Sequence, residues 1–545
     1  MSRRQKIVIA LGIVLGMATL IPVIHHYQLR AATEAYITQL KAQGEPLNLA
    51  QVVPSRSPPG RNATPFITNA LSQLQALDDS PTNLAIDLTI NNSPKDMNRT
   101  IPGKEMIGWN NPVIHDPDGN WPTNSWADLA GQLAQRKSEL DAFRGLIGQP
   151  MLDFNYDYRS LNHYIPQLMS HLSAIKQANQ WLQASEYYDL HLGDATAACT
   201  DVRAMLGFVK AETDERFEIC QLVRFAIAEM SADATWDILQ TTNLPDSDLA
   251  QLQHDWQSLE FVAPMGKALG FERVSSMELQ DELQHFRANL LAFAQSPPTS
   301  FVVKSKVNGK WTNWNGSSTN FYMIDKTDFD QSQHSLFVRV AGAVPKLWRC
   351  LVTWPAFYSY EDELRGLREW QVMFAATRMA ETNASFLSVQ SFVRTNFFQL
   401  GFAAAGENPY AVFSRNAYQL PALRKAIQAN IARNVVITAI ALKRYQLPHH
   451  HLPDKLEELV PDFLKSVPTD CMDGRPLRYR RNADGTFLLY SVGDNGKDDG
   501  GNPAWEKTDV TTDYYDWQNV HALDWVWPQP ATAQEIQNYY AHPPK

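Results

Sequence analysis

An uninterrupted apolar run from Ile7 to Ile24 constrains this chain more than any other stretch of its 545 residues. The run contains no charged residue and approaches the ~20 residues with which an α-helix crosses a lipid bilayer. Basic residues on the short side of such a run indicate the cytoplasmic side, and three precede it here: Arg3, Arg4 and Lys6. The sequence therefore predicts a single-pass membrane anchor at residues 7–24, with the N-terminus in the cytoplasm and the rest of the chain outside it.

The alternative to a retained anchor is a cleaved signal peptide. The apolar run is long for the core of a signal peptide, and no clear pair of small residues at cleavage spacing follows it. We therefore expect the helix to stay in the membrane. The lipid bilayer is then a partner of the chain, and the expected location is an inner (cytoplasmic) membrane with the body of the protein on its outer side.

Composition and charge narrow the class of protein further. Hydrophobic residues make up 44% of the chain, aromatic residues 11% and charged residues 19%, which is enough apolar material for a packed core. The formal net charge is −10 and the sequence pI about 5.8. No nucleic-acid partner is expected, because proteins that bind nucleic acids usually present a basic face.

Changes in composition and periodicity divide the chain into four segments. Prolines crowd the region after the first long helix, and Asn, Asp, Pro and Gly break the helical pattern before residue 125. We predict a basic stub with the anchor at 1–26, a stalk helix, linker and irregular segment at 27–125, a helical body at 126–415 with a β-hairpin or loop near 296–335, and a C-terminal domain at 416–545.

The helical body is predicted from apolar residues that recur at three- and four-residue spacing. Short breaks separate helices of similar length and imply antiparallel neighbours. They lie at Leu192–Asp194, Glu212–Asp214 and Asn243–Pro245. The pattern predicts a mainly α fold of helical hairpins, with a tetratricopeptide-like stack as one possible arrangement, although no fixed-period repeat is present.

The C-terminal domain has the clearest local pattern in the chain. Apolar residues from Leu423 to Tyr445 recur at helical spacing and predict one long helix with a single buried stripe. Two β-forming segments, 476–481 and 486–492, flank the turn Asn482–Gly485 and predict a hairpin. We therefore expect a small α+β domain in which a long helix lies on a short antiparallel sheet.

The loop after the second predicted strand, Gly493 to Gly501, carries carboxylates between glycines. Calcium takes about six to eight oxygen ligands from carboxylates and backbone carbonyls at flexible geometry. We predict a calcium site here with four carboxylates as ligands: Asp494, Asp498, Asp499 and, from the closing segment, Asp524. The alternative is an ordinary polar turn, since Asp, Asn and Gly are the usual turn residues.

The order of elements from about residue 425 to 528 resembles the globular domain of the major pseudopilin of type II secretion systems. The resemblance is carried by the segments LPDKLEELVP, GRPLRYR and LYSVGDNGKDDGG. The positions that match the family, in these segments and next to them, are Asp470, Gly474, Pro476, Tyr479, Tyr490, Ser491, Gly493, Asp498, Asp499 and, by position, Asp524. The resemblance implies a long helix on a small antiparallel sheet. It also implies a calcium ion held in the loop after a strand.

Two departures separate the chain from pseudopilins. Prepilins have Gly before an apolar segment with Glu at its fifth position, whereas here Lys6 precedes Ile7 and Leu11 takes the fifth place. In addition, a large body separates the anchor from the C-terminal domain, whereas one helix serves both purposes in a pseudopilin. The whole chain is more similar to large single-anchor bacterial envelope proteins that join a helical body to such a tail, a group with no established activity.

These observations lead to one expected function and two alternatives. We expect a membrane-anchored extracytoplasmic scaffold or interaction protein, with protein partners on the helical body and a calcium-stabilised tail. The alternatives are a subunit of a pilus-like or secretion assembly and a hydrolase with a site in the helical body. No catalytic residue is predicted, because the sequence contains no G-x-S-x-G, H-E-x-x-H, phosphate-loop or dinucleotide motif.

Overall fold

The computed structural model describes the chain in ranges that are separated by gaps. The described residues are 3–54, 62, 64–76, 84–85, 99–100, 108–109, 126–148, 152–154, 156, 158, 161–285, 300–307, 310–317, 358–382, 385–400, 419–502, 505–507 and 520–530. Within them, only the backbone is described for residues 3–19, 22, 66, 75–76, 84–85, 99–100, 108–109, 128, 161–167, 279, 282–285, 300–307, 310–317, 505–507, 520–522 and 530.

The fold is mainly helical with a small antiparallel sheet near the C-terminus, which confirms the predicted class. The helices are α1 (Arg3–Ala42), α2 (Leu49–Val52), α3 (Thr64–Ala76), α4 (Trp126–Gln135), α5 (Lys137–Arg144), α6 (Leu161–His191), α7 (Ala195–Ala211), α8 (Glu218–Leu239), α9 (Asp246–Gln257), α10 (Val262–His285), α11 (Ser359–Glu381), α12 (Phe386–Gln399) and α13 (Leu420–His449). A short 3₁₀ turn follows at Leu456–Leu459.

The strands are short and pair locally, apart from one distant pair. They are β1 (Leu84–Ala85), β2 (Arg99–Thr100), β3 (Gly108–Trp109), β4 (Ser300–Val307), β5 (Lys310–Ser317), β6 (Arg478–Arg481), β7 (Phe487–Val492), β8 (Trp505–Lys507), β9 (Val520–Ala522), β10 (Asp524–Val526) and β11 (Gln529–Pro530). The antiparallel partners β4 and β5 form a hairpin inside the insertion predicted near 296–335. The parallel pair of β2 with β11 joins segments far apart in the chain.

The chain divides into two compact units, each built from several segments. The first unit comprises Met1–Val53, Leu269–Ala376 and Ser391–Leu420. The second comprises Pro54–Ala268, Thr377–Gln390 and Pro421–Lys545. The helices α3 to α9 and nearly all of the predicted C-terminal domain therefore belong to the same unit.

In the second unit, the helices begin and end where local chemistry requires it. Gly193 follows α6 with φ of 77°, a left-handed conformation that glycine adopts without a steric penalty. Asp194 then caps α7, because its carboxylate accepts a hydrogen bond of 3.0 Å from the backbone N–H of Ala197. All three predicted breaks fall between consecutive helices, from α6 to α9, and are thus confirmed.

Helix α7 lies at the centre of this helical stack. Its residues Val202, Met205 and Val209 are completely buried, and each buried side chain of this size contributes about 1.5–3 kcal/mol. Small residues allow close approach of neighbours, since a Cβ at Gly207 would lie only 3.2 Å from the carbonyl oxygen of Leu146. The Ala- and Gly-rich sequence of α7 therefore suits a helix that is covered on most sides.

The C-terminal part of the second unit is the predicted α+β domain. Strand β7 is central, with β6 on one side (Arg478 opposite Tyr490) and β10 on the other (Asp524 opposite Val492). The long helix α13 precedes the sheet as predicted. Side-chain bonds join this part to α8 and α9 of the same unit: Trp236 Nε1 donates to Pro528 O (2.7 Å) and Gln253 Nε2 to Phe463 O (2.7 Å).

The first unit packs the second half of α1 into its core. Leu40 and Thr33 are each 1% exposed, and the Thr33 hydroxyl donates to the carbonyl of Tyr360 at 3.2 Å. The buried guanidinium of Arg273 bonds the carboxylate of Glu45 at 3.3 Å and lies over the ring of Phe374. This half of α1 is thus part of a folded body.

No helix among the residues whose side chains are described is long and apolar enough to cross a membrane. Most of the predicted anchor, residues 7–19, lies outside that set. The anchor stays a prediction.

Candidate functional site

Asp470 is the fully buried carboxylate at the base of the predicted C-terminal site. It accepts hydrogen bonds from the backbone N–H groups of Met472 (2.9 Å) and Val492 (2.9 Å) and from the Ser491 hydroxyl (2.6 Å). The guanidinium of Arg478 adds a bond of 3.0 Å. Burial raises the pKa of Asp470, and the hydrogen bonds from Ser491, Met472 and Val492 oppose the rise. The carboxylate therefore fastens the segment before the hairpin to the end of β7.

Asp524, the predicted ligand from the closing segment, begins β10 and is 1% exposed. Its carboxylate accepts hydrogen bonds from the backbone N–H groups of Gly501 (2.8 Å) and Asn502 (3.0 Å). A longer bond of 3.4 Å comes from the N–H of Asp499. Burial raises the pKa of Asp524, against the effect of these N–H groups. Successive backbone N–H groups thus surround the carboxylate as they surround a bound anion.

Asp498 lies in the loop and faces the sheet. It accepts hydrogen bonds from the Tyr490 hydroxyl (2.8 Å) and the Gly500 N–H (3.1 Å), and the Arg478 guanidinium lies 3.5 Å away. Partial burial raises the pKa of this carboxyl, but Tyr490, Gly500 and Arg478 outweigh it and hold the pKa below its usual value. Asp498 is therefore ionised at neutral pH and already has protein partners.

The other two predicted ligands face in different directions. Asp494 is turned toward helix α13, where Arg424 Nη2 donates to its carboxylate at 2.6 Å and Gln428 Nε2 lies 3.4 Å away. Asp499 is bonded by the Asn495 amide at 2.7 Å on the exposed side of the loop. The carboxylates of Asp494 and Asp499 thus have separate partners, although only four residues separate them in the chain.

Two glycines let the loop lie close to its neighbours. Gly501 has φ of 81°, and a Cβ there would lie 2.6 Å from Leu488 Cδ2 in strand β7. Gly496 has φ of 67°, and a Cβ there would collide with the side chain of Leu387 in α12. A larger residue at either position would strain the backbone and would have to displace the loop or the facing leucine side chain.

The structure therefore brings Asp498, Asp499 and Asp524 to one loop and directs Asp494 away from them. Among the described residues, no group of three or more His, Cys, Asp or Glu side chains is arranged to hold a metal ion. The donor chemistry suits calcium, while the present arrangement commits these oxygens to N–H and O–H donors of the protein. Calcium binding stays a prediction.

A group of acidic residues in the helical body was not predicted from the sequence. We call it the acidic cluster and define it as Glu186 and Tyr187 on α6 with Asp233 and Asp237 on α8. Glu186 is 0% exposed, and neither of its carboxylate oxygens has a hydrogen-bond partner. Burial, and then the nearby Asp237, raise the pKa of Tyr187 well above its usual value. The one sequence signal is the spacing of Asp233 and Asp237, which puts two acids one turn apart in a helix that is otherwise largely apolar.

Burial is the largest influence on the pKa of each carboxyl group in this cluster. Burial, and then the nearby Asp237, raise the pKa of Glu186 well above its usual value. Burial raises the pKa of Asp237 to about 8, with Asp233 adding to the rise. Asp233 has an exposed surface, yet desolvation by the protein around it raises its pKa to about 7.

Comparison with known proteins adds no relative: no family model matches the chain, and neither the curated proteins nor the solved structures contain a match.

Proposed function

We propose that this chain is a membrane-anchored extracytoplasmic scaffold or interaction protein of a bacterial cytoplasmic membrane. Residues 7–24 form its anchor, the N-terminus lies in the cytoplasm, and the helical hairpins supply the surface for protein partners. The small C-terminal domain braces the helical stack.

The observation that carries the proposal lies at the end of the apolar run. Four apolar side chains in helix α1 are between 47% and 64% exposed, within five successive positions: Leu20, Ile21, Val23 and Ile24. Contiguous exposed apolar surface of this kind marks contact with a membrane or a partner. The uncharged apolar run directly before these residues, with basic residues at its start, favours the membrane.

The contacts of the C-terminal domain support a bracing role for it. Its loop is tied to α13 through Arg424 and Asp494, and the end of its sheet is tied to α8 through Pro528 and Trp236. Carboxylates and N–H groups of the loop satisfy one another inside the domain. Such a domain stabilises its own unit, which is what a scaffold requires.

Membrane fractionation tests the anchor. Replacing Val14 and Leu15 together with arginine places two charges at the centre of the run, and each costs about 2.5–3.5 kcal/mol for insertion. We expect the wild-type chain to stay in the membrane pellet after carbonate extraction and the double variant to leave it. The matched control is Leu192→Arg, at an apolar position of the helical body that is 61% exposed.

Protease treatment of intact spheroplasts tests the orientation. The proposal expects digestion of the body from outside, with the short N-terminal segment protected. A wild-type chain that carbonate releases, or a body that is digested only after the membrane is permeabilised, contradicts the proposal.

A further inference from the structure

We propose that His449 and His451 form a binding site for a divalent copper ion, with water completing the coordination shell. His449 is the last residue of helix α13, and His451 lies two positions beyond it, both in the second compact unit. The pair lies outside the loop Gly493 to Gly501 and takes no part in the proposed anchoring. The proposal therefore goes beyond the scaffold function and does not depend on it.

The Nδ1 atoms of both imidazoles are bonded to backbone carbonyl groups. Nδ1 of His449 lies 2.8 Å from the carbonyl oxygen of Tyr445, and Nδ1 of His451 lies 3.0 Å from that of Leu452. Because a carbonyl oxygen can only accept, each Nδ1 carries a proton and donates it, and in the neutral ring the free lone pair is on Nε2. Histidines that bind metal ions usually have such a second hydrogen bond, which fixes the ring and its tautomer.

Aromatic packing holds the two imidazoles next to each other. The ring of His449 stacks on that of Tyr445, with centroids 4.0 Å apart and planes at 11°. The ring of His451 lies in an edge-to-face arrangement with Tyr445 at 5.9 Å. Tyr445 is itself fixed, because it is 8% exposed and its hydroxyl donates to the carboxylate of Glu458 at 3.3 Å. Both rings are therefore positioned before an ion arrives.

The distance between the two imidazoles suits a shared ion. Their ring centroids are 6.1 Å apart. Two imidazole nitrogens that each bind one ion at about 2.0–2.1 Å place their ring centroids at most about 6.4 Å apart. The observed separation lies inside this limit and corresponds to a wide nitrogen–metal–nitrogen angle of about 145° at the same bond lengths. The separation thus permits both Nε2 atoms to reach one ion.

The pair is open to solvent, so an ion can enter with its water ligands. His449 and His451 are exposed, and neither Nε2 has a hydrogen-bond partner within the described part of the chain. The residue between them, His450, has φ of 59°, a left-handed conformation that costs a residue with a Cβ more than it costs glycine. The turn at this residue leaves both neighbouring rings against Tyr445.

The ligand type and the wide angle favour copper over calcium and zinc. Imidazole nitrogen is a usual ligand of copper and zinc, whereas calcium takes oxygen ligands. Tetrahedral zinc would need the two ring centroids about 5.2 Å apart, whereas tetragonal copper accepts ligands on opposite sides of the ion. Divalent copper also binds such ligands more tightly than zinc does. Since no described group of three or more His, Cys, Asp or Glu is arranged to hold a metal, water supplies the remaining ligands.

Isothermal titration of the full chain in detergent with copper(II) chloride tests the proposal. The chain is purified without a polyhistidine tag and titrated in a buffer that does not bind copper. We expect one tight site, which His449→Gln and His451→Gln should each weaken by about tenfold or more, because each removes one of the two protein ligands. His254→Gln, at an exposed histidine of the same unit, is the matched control and should leave affinity unchanged. Zinc chloride should bind at least about tenfold more weakly than copper.

Electron paramagnetic resonance of the copper-loaded chain gives a second readout. The wild-type spectrum should show a tetragonal centre with two imidazole nitrogens, and His449→Gln and His451→Gln should each leave only one of them. Replacing the intervening residue, His450→Gly, supplies the residue type that suits its backbone conformation. This variant should change neither the spectrum nor the affinity, because His450 is not a proposed ligand.

Three results would overturn the proposal. These are copper binding that His449→Gln and His451→Gln leave unchanged, loss of the tight site in His450→Gly or His254→Gln, and zinc binding as tight as that of copper. If His449→Gln, which also loses a bond at the helix end, fails to fold as judged by circular dichroism, His451→Gln decides the matter. Loss of membrane anchoring in the arginine double variant leaves this test unaffected, so the two proposals fail separately.

Discussion

Replacing Asp470 with alanine tests whether one buried carboxylate holds the C-terminal sheet in place. The change removes the acceptor of the Met472 N–H, the Val492 N–H and the Ser491 hydroxyl, at 2.9, 2.9 and 2.6 Å. A buried donor that loses its acceptor costs about 1–3 kcal/mol, and partial relaxation around the shortened side chain recovers some of the sum. We expect the free energy of unfolding of this domain to fall by about 3–5 kcal/mol.

Urea unfolding followed by tryptophan fluorescence measures this loss, and hydrogen exchange at the Met472 and Val492 amides locates it. Both amides should lose protection in the variant, because Asp470 is their acceptor. The control Asp462→Ala removes an exposed carboxylate from the same domain and should change stability by no more than about 0.5 kcal/mol. A loss below about 1 kcal/mol in Asp470→Ala, with the Val492 amide still protected, would refute the assigned role.

Three further predictions concern charge and metal binding. Burial raises the pKa of Glu212 to about 8, so the native state keeps a proton that the unfolded state releases. The free energy of unfolding should therefore fall as the pH rises toward 8. In melts at several pH values, Glu212→Gln should reduce the slope of stability against pH by up to about 1.4 kcal/mol per pH unit, and an unchanged slope would contradict this. The Arg424–Asp494 ion pair, 2.6 Å apart and largely buried, should show a coupling energy of about 1–2 kcal/mol in a double-mutant cycle of Arg424→Gln and Asp494→Asn. If the losses of stability in the two single variants simply add in the double variant, the pair does not stabilise the domain. Calcium at about a hundredfold excess over its dissociation constant should stabilise the chain by about 2.7 kcal/mol. The variants Asp498→Ala and Asp499→Ala should each remove that stabilisation. Melting temperatures that neither calcium nor a chelator changes would refute the calcium prediction.

Local sequence patterns were sufficient to predict the three breaks between α6 and α9 and the C-terminal hairpin. Helix α6 ends at Gly193, whose backbone adopts a left-handed conformation, and α7 begins after Asp194, whose carboxylate caps it. Both effects act within a few residues. The Asn482–Gly485 turn likewise lies between the paired strands β6 and β7. Such preferences act over one or two turns of chain, so they can be recognised without knowledge of the tertiary structure.

The roles of the acidic residues could not be predicted in this way. Asp494 and Asp499 look equivalent in the sequence, yet one is bonded to Arg424 in a helix some 70 residues earlier and the other to Asn495 in its own loop. Spacing indicates that Asp233 and Asp237 share a helix face, but only packing buries Glu186 of another helix without a hydrogen-bond partner.

The sequence by itself thus determined the apolar run, the fold class and the three breaks between α6 and α9. Only the tertiary structure decided which carboxylates converge, which are bonded to protein donors and which are left without one. The physical reason is that helix and turn preferences are properties of a short segment, whereas the partner and the pKa of a carboxyl group depend on which distant segment packs against it.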